Sequence, residues 1–232
     1  MGSDMTLRLI HIFLLVLWLG VDFGVFYTSF VLRRKDISSE TRLEVSKIML
    51  FLDLGPRLAM ILMIPVALWL AYSIGLGLTD LNPRSAEVLF WGVILASLLW
   101  IVGTIWREHG SLNPTDGYTR FLRIFNPLDW ILRIAAMGFF VISGILSLTG
   151  GSLWITNTIA WKAILFGFTF ACAMWIDLAI KDFGPALMDI ISNGETAARL
   201  DRLNRSLRWA YPPVFLLWAA IVAIVVIVKV GV

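Results

Sequence analysis

LRLIHIFLLVLWLGVDFGVFYTSFVL, residues 7–32, decides the fold class. It exceeds the roughly 20 apolar residues that a helix needs to cross a hydrocarbon core of about 30 Å, yet it contains an imidazole, His11, and a carboxylate, Asp22. The strands of a membrane barrel show about ten residues of strict alternation, and this run does not alternate. It is also too long for the apolar core of a signal peptide, and the flank VLRRKD offers no small-residue cleavage site. The run is therefore expected to stay in the mature chain.

Working outward, five further apolar runs lie near 48–75, 87–106, 127–149, 157–180 and 209–229. With 59% hydrophobic and 15% charged residues and a mean hydropathy of +0.85, the composition is outside the range of soluble domains. The expectation is an all-α integral membrane protein, six transmembrane helices forming one domain over 1–232. One cysteine, Cys172, excludes an internal disulfide, and two histidines argue against a His/Cys zinc site.

The net charge of +3 reads as membrane orientation rather than nucleic-acid binding. Lys and Arg collect in cytoplasmic loops. The 33–47 connection holds Arg33, Arg34, Lys35, Arg42 and Lys47; 107–126 holds Arg107, Arg120 and Arg123; 181–208 holds Lys181, Arg199, Arg202, Arg205 and Arg208. The other side has Arg8, Arg84 and Lys229. This asymmetry places both termini on the extracytoplasmic side of a bacterial inner membrane. Within 183–208, Gly184 and Pro185 read as breakers, SNGE as a turn or helix start, and Leu200, Leu203 and Leu207 as one face of a cytoplasmic interfacial helix. GSLNPTDGY, 110–118, reads as a loop, with His109 solvated beside it.

Polar residues inside the spans carry the functional reading, because they are expensive there. His11 falls about 6 Å below the outer edge and Lys162, in NTIAWKAILF, at the same depth. His11, Leu15, Trp18 and Asp22 share one face of the first helix; Lys162, Phe166, Thr169, Ala173 and Asp177 share one face of the fifth. Each of His11 and Lys162 could bind a ligand or carry protons, or simply bond a neighbouring helix or the headgroups. Asp22, about 22 Å deep with no base within a turn, is a candidate for proton transfer. Asp177 reads as the partner of Lys181.

A weak repeat, FLDLGPRLAM (51–60) and PLDWILRIAAM (127–137), sets Asp53 four residues before Arg57 and Asp129 four before Arg133. Both arginines could hold a propionate, quinone or lipid anion, but reaching the interface beside their own aspartates is the stronger reading. Trp154, Trp161 and Trp209 read as interface anchors. A cytochrome clamping haem between two span histidines is excluded, since the spans hold one; haem held by His alone, or by His with Lys or Met, stays open.

LIHIFLLVLWLGVDFGVFYTSFVLRR, LGPRLAMILMIPVALWL, WKAILFGFTFACAMW and RLNRSLRWAYPPVFLLWAAIVAIVVIVKV together resemble the HemJ-type protoporphyrinogen oxidases and the wider group that includes CopD-type copper-resistance membrane proteins. The resemblance covers about 7–75 and 155–230 and makes 76–154 an added helix pair. It implies a haem b or porphyrin-binding redox protein that exchanges electrons with quinone. His11 would be the haem-iron ligand, Lys162 and Trp18 further cofactor contacts, Arg57 and Arg133 anion contacts, and Lys162 and Asp22 the catalytic pair. The alternatives are copper transport of the CopD kind, weakened by the lack of an outer Met or His cluster, and a non-catalytic anchor subunit. A homo-oligomer or a larger membrane complex is among the expected assemblies.

Overall fold

The computed structural model describes residues 2–110 and 116–230. The side chains of His109 and Lys229 and the middle of the 110–118 connection lie outside the described residues. Among the described residues there are eight helices: α1 (Gly2–Leu32), α2 (Ser39–Ser73), α3 (Pro83–Gly110), α4 (Asp116–Leu148), α5 (Asn157–Ala179), α6 (Phe183–Asn193), α7 (Ala197–Trp209) and α8 (Tyr211–Val230). Among the described residues, six stretches are long and apolar enough to cross a membrane, and regular structure outside helices is one isolated antiparallel bridge. The protein is an all-α, multi-pass membrane protein. In hydrocarbon a helix satisfies its own backbone groups, so apolar runs of this length have no other open solution.

Several helices outrun the apolar segments. α2 starts nine residues before the expected span because Ser38 caps it, its hydroxyl accepting from the Thr41 amide at 3.2 Å. Most of the expected 33–47 connection is therefore helix, leaving a short turn after α1.

α1 packs along α2, α2 against α3, α4 along α5 and α5 along α8. The α4–α5 seam is close because glycine faces backbone: a Cβ on Gly167 would lie 3.0 Å from the Met137 carbonyl oxygen, and one on Gly144 2.7 Å from that of Ala160. α1 and α8 meet instead through rings, with Phe26 5.1 Å from Tyr211, 5.4 Å from Phe215 and 5.0 Å from Trp218. Phe90, Trp100, Phe125 and Phe140, from the helix pair expected as an addition, share one core with Trp18 and Phe166.

The bundle has a basic end and a far end. At the basic end α6 and α7 form a hairpin over Leu32 and Met49. Its hinge is Gly194, at φ 79°. Here the expectation of one interfacial helix after a Gly-Pro break is corrected. Gly184 and Pro185 sit in the first turn of α6, where a missing N–H has no helical acceptor to lose, so they open a helix rather than interrupt one. Arg42, fully buried, fastens the hairpin to the turn after α1. Its guanidinium donates to the carbonyls of Leu32 and Arg34, the latter at 2.9 Å, and to Glu195 at 3.3 Å.

At the far end the α2–α3 and α4–α5 turns clasp each other: the Leu78 amide donates to Leu153 O at 2.9 Å and the Ile155 amide to Leu76 O at 3.1 Å. Gly77 lies under the Trp154 ring, where a Cβ would come within 2.6 Å. Trp154 is thus no interface anchor. It is 5% exposed, and its indole N–H donates to Ser143 Oγ at 3.0 Å. Trp161 and Trp209 are exposed, as interface residues are.

Candidate functional site

Near the far end, α1, α2, α4, α5 and α8 line a partly open cavity of about 160 Å³ whose walls are almost entirely apolar. His11 and Lys162 both line it, together with Trp18, Met63, Phe140, Trp154 and Phe166. The two stripes legible in the sequence therefore converge on one space. Helix geometry causes this, since His11 and Trp18 are seven residues apart on α1 and Lys162 and Phe166 four apart on α5. Trp18, 3% exposed, is fixed edge-on to Phe166 at 6.3 Å, and forms the floor.

His11 Nδ1 is buried with no hydrogen-bond partner. A buried polar nitrogen normally has a partner, and this one lies in the protein beside the cavity rather than on its surface. As an iron donor the imidazole fits haem, and Met63 places a thioether on the same cavity. The space fits less well. It is below the ~300–1,000 Å³ of pockets that enclose drug-sized ligands, and a porphyrin belongs at the large end of that class. A single six-membered ring matches it, as a dry cavity of about 150 Å³ takes benzene. Among the described residues no group of three or more His, Cys, Asp or Glu side chains could hold a metal ion.

Arg57 and Arg133 are not in this cavity. They line a second, of about 40 Å³, on the other side of Trp18. Each keeps its own aspartate, Arg57 Nε donating to Asp53 at 2.6 Å and Arg133 lying 2.9 Å from Asp129. Neither reaches for the interface. Arg57 forks onto Asp177, Nη2 to Oδ1 at 2.7 Å and Nη1 to Oδ2 at 3.2 Å, and Arg133 Nη1 donates to the same carboxylate at 2.6 Å. Asp129 further accepts from Trp100 Nε1 at 2.6 Å and from Arg107 at 3.0 Å. The result is an alternating chain, Asp53, Arg57, Asp177, Arg133, Asp129, Arg107, joining α2, α5, α4 and α3.

Two expectations are corrected by this chain. Asp177 is not the partner of Lys181: α5 ends at Ala179, so Lys181 is off the helix and exposed, and the i,i+4 geometry does not exist. The arginines are not anchored at the membrane surface either, because Asp177 offers them a carboxylate inside the bundle. As an anion-binding pair for the His11 cavity they are both distant and already saturated.

Asp22 stands apart. Trp218 Nε1 donates to its Oδ2 at 2.6 Å, and among the described residues it forms no salt bridge. It lines the 40 Å³ cavity and also a third, of about 90 Å³, that runs toward the basic end between α1, α2, α5 and α8.

No protein family, curated protein or solved structure matches the chain.

Proposed function

We propose that the chain is a membrane redox protein that takes a quinone headgroup in the cavity between His11 and Lys162. The observation that carries this reading is an apolar cavity of one-ring size lined by both an imidazole, His11, and an amine, Lys162. A quinone ring presents an acceptor oxygen at each end; an imidazole N–H and an ammonium are donors suited to them. Phe140, Phe166 and Trp18 supply apolar walls for the ring. When bound, a quinone takes up electrons together with protons, and a water-poor pocket restricts that exchange to positioned groups. His11 and Lys162 orient the ring and polarise its oxygens.

The basic end is read as cytoplasmic by the distribution of Lys and Arg, which puts this cavity in the outer half of a plasma membrane of the bacterial inner type. Haem b is the second reading, favoured by His11 and Met63 lining the same cavity, and it preserves the HemJ-like assignment of His11. Copper carriage and a bare anchoring role draw on no comparable feature.

The test is a titration of detergent-purified protein with a short-chain quinone, followed by tryptophan fluorescence, with absorption spectra of the oxidised and reduced protein. Saturable quenching is expected. Lys162→Met removes a charge-assisted hydrogen bond of ~1.5–3 kcal/mol, so affinity drops roughly 10- to 100-fold. Absence of saturable binding overturns the quinone reading, and a Soret band abolished by His11→Ala replaces it with haem.

A further inference from the structure

We propose that Asp22 is a proton-carrying carboxyl, reached by water from the basic end of the bundle and passing protons across to the cavity beneath Trp18. It deepens the reading above and rests on it in one respect: the path leads toward the headgroup site and would supply the protons that a quinone takes up there.

Three independent observations support the path. First, among the described residues Asp22 differs from Asp53, Asp129 and Asp177 in having no tie to a guanidinium. Asp53, Asp129 and Asp177 each accept from at least one arginine within 3.0 Å. The Trp218 indole occupies one oxygen of Asp22 and, having no charge, leaves the carboxyl free to gain and lose a proton. Second, Asp22 lines two cavities at once, of about 40 and 90 Å³. A water needs about 10–15 Å³ and two to four polar partners, and both spaces provide them. The smaller is walled by Asp22 and Asp53, by Arg57 from α2, by Arg133 from α4 and by Asp177 from α5; the larger by Asp22, Asp53, Ser29 and Tyr211.

Third, the larger cavity ends in a polar cluster. Ser29 Oγ and the Tyr211 hydroxyl are 3.2 Å apart, and Arg33 Nη1 donates to that hydroxyl at 2.9 Å. Arg33, just past the end of α1, is partly exposed and ties Tyr211 to the basic end of the bundle.

The step itself balances without electrons. A proton on cavity water adds to a carboxylate oxygen of Asp22, and the acid so formed later returns a proton to water on the other side, regenerating the carboxylate. Trp18 lines both the 40 Å³ cavity and the His11 cavity, so one indole separates the path from the site.

Infrared spectroscopy of the full-length protein in lipid, titrated toward acid, tests this. Expected is a protonated-carboxyl C=O band that Asp22→Asn abolishes and that shifts promptly when H₂O is replaced by D₂O. The Asn amide oxygen still accepts from Trp218, so the fold is retained, and Asp22→Glu should keep a displaced, exchangeable band. No band removed by Asp22→Asn, or a band that resists D₂O, overturns the proposal. The quinone titration on the same samples reports separately on the His11 site, so the two readings fail independently.

Discussion

Asp177 binds two arginines at once, and removing its charge is the sharpest test of the bundle's electrostatics. In Asp177→Asn, three charge-assisted bonds at 2.6, 2.7 and 3.2 Å weaken together. Each of Arg57 and Arg133 retains one aspartate, so neither charge is left bare. Arg133 is 4% exposed and Asp177 22%, a burial at which breaking a pair costs ~3–5 kcal/mol. Because each guanidinium keeps a partner, the lower end, about 3 kcal/mol, is the expected loss. Reversible unfolding in mixed micelles, followed by circular dichroism, measures it. Asp36→Asn serves as the control, since Asp36 pairs with Arg34 in the exposed turn after α1 and should leave stability unchanged. An Asp177→Asn loss of ~1 kcal/mol or less, the range of surface pairs, refutes the buried network. So does simple additivity with Arg57→Met, within about 0.5 kcal/mol.

Arg42→Met removes a buried guanidinium that serves two carbonyls and Glu195, and should cost at least ~2 kcal/mol while making residues 183–208 an early proteolytic cut; an unchanged digestion pattern refutes the fastening role. Gly77→Ala pushes a methyl to 2.6 Å from the Trp154 ring, a crowding worth ~1–3 kcal/mol, and should weaken quinone binding by displacing that wall; unaltered melting and titration count against the clasp at the far end.

The six spans were legible because hydrocarbon admits so few backbone solutions that run length alone decides. The meeting of His11 and Lys162 was legible too, since both sit near the same ends of their helices and helical periodicity fixes which side chains follow them. Asp177 was misread because sequence offers only near partners, and the nearest base, Lys181, falls past the end of α5. Its actual partners, Arg57 and Arg133, are 120 and 44 residues away. The presence of two span arginines with no obvious reason to be there was the signal available. Trp218, which holds Asp22, was hidden by the generic excess of tryptophan in membrane proteins. Pro185 misled because proline stops a helix in its interior but suits its first turn.

The i,i+4 spacing of Asp53 with Arg57, and of Asp129 with Arg133, also bears on how the chain enters a bilayer. A lone arginine or aspartate at the centre of an inserting segment costs ~2.5–3.5 kcal/mol. Here α2 and α4 each bring a counter-ion one turn away, so each can leave the insertion machinery with its span arginine already paired on its own helix. Asp177 is translated after both. Its bonds to Arg57 and Arg133, which tie α2 to α4 through α5, can therefore form only once α5 has been made.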